Sequence, residues 1–230
     1  MPGFEKPAAA ATTAAAVQET LRQRWDVSHE TLARLETYAA LLQKWQPRIN
    51  LIAPSTVPTL WHRHILDSAQ ILPLLPASAR SLVDLGSGAG FPGLVLAILT
   101  GEAMTVALVE ADQRKAAFLH QVIQATGLNA RAPRVTVHAV RIEALSRGCA
   151  DVVTARGLTA LPALLPLVAR FLASENGVAL LSKGRRWQEE LTAAAQAWTL
   201  RAEPHPSLTD REAVILRLSA LAPLHSCSRG

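Results

Sequence analysis

SLVDLGSGAGFPG, residues 81–93, joins two kinds of patterning in thirteen positions. Leu82, Val83, Asp84 and Leu85 read as a strand, Gly86, Gly88, Gly90 and Gly93 as a tight turn, and the apolar run Leu94 to Leu99 as the helix that follows. Strand, glycine-rich turn and helix are the plan of a nucleotide-cofactor site. The glycines let the backbone turn sharply and approach a ligand, while unpaired N–H groups at the start of the next helix face it.

Outward from this stretch, strand-like runs at Ser81–Leu85, Thr105–Val109, Val135–Ala139, Asp151–Ala155 and Val178–Ser182 alternate with helical ones. The helices fall at Gly93–Leu99, Gln113–Thr126, Leu161–Ala173 and Trp187–Ala197. This alternation specifies an α/β, doubly wound, Rossmann-like sheet that is parallel through its fifth strand. Two further strands, Trp198–Ala202 and Ala213–Leu218, are separated only by a Pro-containing turn segment. A parallel crossover needs a dozen or more residues, so the last pair is antiparallel and closes a seven-stranded sheet. That ending suits a class I methyltransferase fold, whereas nicotinamide-binding domains continue with a parallel sixth strand.

Before the sheet, Leu32, Leu35, Tyr38, Ala39, Leu42 and Trp45 recur at helical spacing after the N-cap candidate Ser28. A second helix is expected over Thr59–Leu72, with Leu60, Ile65, Leu66, Ala69 and Leu72 buried. The chain therefore reads as a flexible tail (1–27), an N-terminal helical extension (28–76), a Rossmann-like domain (77–220) and a C-terminal tail (221–230). His62 and His64 are two apart on the second helix and diverge, so they do not suggest a metal site. Cys149 and Cys227 form no disulfide or zinc framework. Half of the 230 residues are hydrophobic, yet no apolar run reaches the length of a membrane span and the Ala-rich start lacks the strongly apolar centre of a signal peptide. A cytoplasmic protein without membrane contact is expected, and its net charge of +5 favours an anionic partner such as nucleic acid.

Gly88, Gly90 and Gly93 formally satisfy the dinucleotide pattern G-x-G-x-x-G, with Glu110 at the end of the second strand where a ribose-binding acid belongs. A nicotinamide-dependent oxidoreductase is thus one reading. S-adenosylmethionine is the other, and two residues favour it. Asp84 lies where a carboxylate could face the amino group of a methionine moiety, and Pro92 deletes an N–H that a pyrophosphate would use. Further contacts are expected after the third and fourth strands, from Ile142 against the adenine, Glu143 toward its amine, and Arg156. Lys183, with Arg114 and Lys115, would form a basic lip for a polyanion.

INL at 49–51, RHILDS at 63–68, DLGSGAGFPG at 84–93, DQRKAAFL at 112–119, TAR at 154–156 and SKG at 182–184 together resemble the RsmG (GidB) family, over about Trp45 to Leu218. The resemblance implies transfer of a methyl group from S-adenosylmethionine to N7 of a guanine in 16S ribosomal RNA, with the rRNA or the small ribosomal subunit as partner and a monomeric enzyme. Residue by residue it places cofactor contacts on Gly86, Phe91, Ile142, Glu143 and Arg156, with Glu110 as the ribose acid. One departure is Thr154-Ala155-Arg156-Gly157, where many members carry Ser-Arg-Ala-Phe. Methylation of another RNA or a small molecule, and a silent RNA-binding module, are the competing readings.

Guanine N7 carries a free lone pair and no proton, so no general base is required and Arg156 is expected to act as a positioning residue. Arg48, Arg63 and His64 on the leading segments are candidates for phosphate contact.

Overall fold

The computed structural model describes residues 13–132, 134–173 and 177–224. Two helices come first, α1 (Ala14–Trp25) and α2 (His29–Trp45), each opened by a side-chain cap. Thr13 accepts from the Ala16 N–H and Ser28 from the Thr31 N–H. The expected tail up to residue 27 is thus corrected from Thr13 onward. Val17 and Leu21, four apart on one face of α1, are fully buried against the segment that follows α2, and Gln18 bonds to Glu36 of α2. That apolar stripe is short and set among alanines and charges, which is why composition alone reads as tail.

The single helix expected over Thr59–Leu72 is also corrected. Pro54–Thr59 is 3-10, Trp61–Leu66 a π-helical turn, and Asp67–Ala69 (α3) a last α turn. Pro58 and the π turn rotate the face seen by the core, so that Ile71 is buried while Leu72 is only half-buried.

The sheet then runs β1 (Ser81–Leu85), β2 (Thr105–Val109), β3 (Val135–His138), β4 (Val152–Arg156), β5 (Val178–Lys183), β6 (Trp198–Pro206) and β7 (Val214–Pro223). Its order is β3-β2-β1-β4-β5-β7-β6, parallel except for β7 against β5 and β6. The reversal beside β1, with β2 on one side and β4 on the other, opens a crevice at the carboxyl ends of those strands. Helices α4 (Gly93–Thr100) and α5 (Gln113–Thr126) cover one face, and α6 (Leu161–Ala169) and α7 (Trp187–Ala194) the other. β7 runs past the expected start of the C-terminal tail at 221, and residues 225–230 lie outside the described residues, as does Cys227.

The N-terminal helices share one core with the sheet: Leu35, Tyr38 and Leu42 pack in the same cluster as Leu82, Leu94 and Phe118. The extension is therefore built into the face of the sheet that carries the glycine turn.

Candidate functional site

A cavity of about 520 Å³ opens at the carboxyl ends of β1 and β2. Gly86, Gly88 and Phe91 of the glycine-rich turn, Glu110 after β2, and Ile142 and Glu143 after β3 all line it. Arg156 at the end of β4 borders it, and Lys115 lies on its rim. Gly90, in contrast, does not line the cavity. Its φ of +98° suits glycine alone, and a Cβ there would sit 2.6 Å from Leu94 Cδ1 and 2.8 Å from the Tyr38 hydroxyl, so its task is close packing under the turn.

Nearly every N–H of the turn is already spent within the protein. Ser87 N donates to Val109 O, Gly88 N to Glu110 Oε2 at 2.7 Å, Gly90 N and Phe91 N to Ser87 O, and Leu94 N to Gly90 O. Gly93 N donates to Asp84 Oδ2 at 3.2 Å, and Pro92 has none to give. The opening turn of α4 consequently offers no N–H cluster to a pyrophosphate, and the dinucleotide reading lacks its main support.

The expected role of Asp84 is corrected by the same network. Asp84 is fully buried, outside the cavity, and accepts from Thr154 Oγ1 at 2.7 Å and from Gly93 N. Burial raises its pKa, against the lowering effect of Thr154, Ser87, Gly93 and Arg156. It ties β1 to β4 and to the start of α4 rather than facing a ligand.

Glu110 keeps the place expected of it. Its oxygens each take one backbone N–H, Gly88 to Oε2 and Asp112 to Oε1 at 2.8 Å, leaving further lone pairs toward the cavity. Ile142 is buried and, with Val140, supplies an apolar patch of the cavity wall after β3, while Glu143 is half open to solvent beside Arg141.

Sequence patterning missed the clamp around Phe91. The Tyr38 hydroxyl donates a short hydrogen bond to Ala89 O, and its ring stacks on Phe91 at 5.3 Å. His64 lies 5.0 Å from the same ring, and the Arg156 guanidinium sits 5.0 Å over it. Arg156 is itself held, by Asp67 Oδ2 at 3.1 Å, His64 Nδ1 at 2.8 Å and Arg63 O at 3.3 Å. Leu51 and Ile52 also line the cavity, their N–H groups donating to Gln46 Oε1 while Gln46 Nε2 donates to Ile52 O. A Gln at a helix end, five and six positions before an apolar pair, is the signal for this arrangement.

Several expected phosphate contacts are corrected. His64 is neutral: burial first, then the charges of Arg156 and Arg63, depress its pKa to about 3. Its Nδ1 accepts from Arg156, so its Nε2 donates to Thr56 Oγ1, and no ring nitrogen is left for RNA. Lys183 is buried, donating to Thr159 O at 2.7 Å and pairing with Glu190 at 2.8 Å. The lip expected from Lys183, Arg114 and Lys115 does not assemble. Lys115 borders the first cavity, Lys183 a second one, and exposed Arg114 borders neither and pairs with Asp112. Arg48 is exposed away from both, and Arg63 lies on the second cavity, paired with Asp210 at 3.1 Å. Among the described residues, no group of three or more His, Cys, Asp or Glu is placed to hold a metal ion, and no helix is long and apolar enough to cross a membrane.

Comparison with known proteins agrees with this geometry. The family GidB, described as rRNA small subunit methyltransferase G, matches residues 31–214. The Ribosomal RNA small subunit methyltransferase G of Rhodospirillum centenum is 55% identical over 197 residues, covering 86% of this chain and 88% of that protein. The protein of the same name from Paramagnetospirillum magneticum is 52% identical over 200 residues, covering 87% and 94%. Among solved structures, a Bacillus cereus O-methyltransferase in complex with SAH superposes with a TM-score of 0.56 at 14% identity, over 89% of this chain and 97% of its own. A putative S-adenosyl-L-methionine-dependent methyltransferase from Methanococcus maripaludis gives 0.53 at 12% identity, over 96% and 98%. These two likenesses concern the fold alone.

Proposed function

The chain belongs to the rRNA small subunit methyltransferase G family, and from that premise we propose that it transfers a methyl group from S-adenosylmethionine to N7 of a guanine in 16S ribosomal RNA. The observation that carries the cofactor assignment is the cavity after β1 and β2. It combines a glycine turn whose N–H groups are spent, an acceptor-only carboxylate at Glu110 and an apolar patch at Ile142. These features suit a nucleoside with ribose hydroxyls and an adenine ring but no phosphate. Glu110 would take the ribose hydroxyls, Ile142 the adenine face, Glu143 its exocyclic amine, and Gly86 and Phe91 would flank the methionine part. The cofactor supplies an electrophilic methyl on a sulfonium.

The protein's own contribution is alignment. N7 has a lone pair ready, so no side chain has to remove a proton, and neutral His64 is not required as a base. Holding two reactants in line can supply about 7 to 11 kcal/mol of rate enhancement. Arg156 is suited to that positioning role, since Asp67, His64 and the Phe91 ring fix its guanidinium on the border of the cavity. Its charge is paired with Asp67, which offsets its opposition to the positive charge that grows on the purine during transfer.

N7 lies in the deep groove of paired RNA, so an unpaired or splayed nucleotide is the expected form of the target. Exposed Arg48 and Arg114, and Lys115 on the rim of the first cavity, are the expected phosphate contacts, each adding to the salt dependence of binding. The reading places the protein in the cytoplasm as a monomer acting on ribosomal RNA or the small subunit. Its test is transfer of a labelled methyl group to naked 16S RNA and to small subunits from cells lacking this protein, followed by nucleoside identification. The expected product is 7-methylguanosine. Label in any other nucleoside, or none in either substrate, would overturn it.

A further inference from the structure

Beside the cofactor cavity lies a second, of about 320 Å³, and His64, Arg156 and Gly157 line both. Thr56, Arg63 and Asp67 form one side of it, and the ends of β5 and of the β6–β7 hairpin the other, including Ser182, Gly184 and Asp210. Three features mark it as a built site. Ser182 Oγ is buried with no hydrogen-bond partner, although the great majority of buried polar atoms have one. Gly184 has no left-handed φ, and a Cβ there would meet nothing within 4 Å, so neither backbone nor packing within the protein calls for glycine. Asp210 is a partly exposed carboxylate, fixed by the Glu212 N–H at 3.1 Å and by Arg63.

We infer that this second cavity receives the target base, with Asp210 reading the Watson–Crick edge of guanine and Ser182 its O6, and that Gly184 is glycine to leave room for the ring. The inference rests on the guanine-N7 reading given above. Ser182 is the strand neighbour of Arg156 across β4 and β5, and Arg156 belongs to the wall shared with the cofactor cavity. O6 lies next to N7 on the guanine edge that must face that wall. The N1–H and 2-amino donors then point the other way, toward the hairpin that carries Asp210. An ionised carboxylate only accepts, so it pairs with both guanine donors and is mismatched to adenine, whose N1 also accepts. Partial burial alone would raise the Asp210 pKa, but the Glu212 N–H and Arg63 outweigh it and keep the carboxyl below its ordinary range. Arg63 is a positioning residue here, since it orients Asp210.

The test uses a single-turnover transfer assay at saturating S-adenosylmethionine on small-subunit RNA carrying guanine or inosine at the target position. Inosine keeps N7, O6 and N1–H and lacks only the 2-amino group. The wild type is expected to prefer guanine by about 30-fold, the effect of losing one of two hydrogen bonds to a charged acceptor. Asp210→Asn should lower transfer to guanine by about 10-fold or more and reduce the preference to about twofold, with the dissociation constant of S-adenosylhomocysteine unchanged. Gly184→Leu should keep the thermal midpoint and cofactor affinity of the wild type while losing transfer by about 10-fold or more, because its side chain fills the cavity. If Asp210→Asn retains the wild-type preference, or Gly184→Leu transfers at the wild-type rate, the base pocket is overturned and the proposed function stands. If the wild type itself methylates no guanine of this RNA, both are overturned.

Discussion

The two cavities share a wall and are built on opposite principles. The first centres on the contiguous glycine turn between β1 and α4, with the ends of β2, β3 and β4 set around it, most N–H groups of that turn satisfied internally and its aromatic floor clamped by Tyr38. The second draws on segments scattered from Thr56 to Ile215, carries the half-exposed Arg63–Asp210 pair, and keeps an unpartnered hydroxyl at Ser182. A site for an invariant cofactor can be rigid and finished in advance, whereas a site that must tell one base from another keeps polar groups for that base to satisfy.

The largest disturbance expected breaks the finished side. Gly90→Val combines an unfavourable φ with a Cβ that collides with Leu94 and Tyr38. It should cost about 3 kcal/mol or more and abolish cofactor binding, as read by denaturant unfolding and calorimetric titration.

Next is the shared wall. Arg156→Ala should reduce the single-turnover rate by about 100-fold, because the alignment it enforces is lost. Arg156→Lys should restore little, since one ammonium cannot meet Asp67, His64 and Phe91 together. Removal of this charge should also let the His64 pKa rise from about 3, which a proton NMR titration would detect.

Then comes the clamp. Tyr38→Phe keeps the stack on Phe91 but deletes the hydroxyl donor to Ala89 O in a buried place. The expected loss is about 1 to 2 kcal/mol of stability, with a several-fold weaker cofactor affinity.

His64 gives a pH effect of similar size. Its pKa is depressed from 6.5 in the unfolded chain to about 3 when folded, so the unfolded state binds the proton first as pH falls. The stabilisation is complete above pH 6.5 and is lost progressively below it, until the folded group titrates near 3. Between pH 7.5 and 5.5 the stability should drop by about 1 kcal/mol through this residue, and His64→Gln should flatten that part of the profile.

The smallest effect belongs to the open rim. Arg114→Gln removes an exposed pair with Asp112, so the thermal midpoint should hardly move, while the salt slope of RNA binding should fall by about 1. An unchanged slope would remove Arg114 from the RNA path.

What was legible in the sequence follows the same divide. The strand bounds Ser81–Leu85 and Thr105–Val109 and the helix Gln113–Thr126 coincide with those observed, because each is a local pattern with its own start and stop. Family motifs and strand ends brought Gly86, Phe91, Glu110, Ile142, Glu143 and Arg156 to one cavity. Charge counting did less well. A lysine in sequence looks the same whether it faces solvent or, like Lys183, is buried against Glu190, and a histidine gives no hint that neighbouring arginines suppress its charge. The internal role of Asp84 is invisible locally because its partner Thr154 lies 70 residues away. The contacts of Asp67 with Arg156 and Thr209, and the whole second cavity, depend on such distant encounters.

The division of labour between the two cavities is tested most directly with Glu110→Gln, followed by calorimetry with S-adenosylhomocysteine and by single-turnover transfer to small-subunit RNA at saturating cofactor. Loss of the ribose acceptor should raise the dissociation constant about 10-fold or more and leave the transfer rate at saturation within about twofold of the wild type. An unchanged dissociation constant, or a rate that stays low at saturation, would contradict that division of labour.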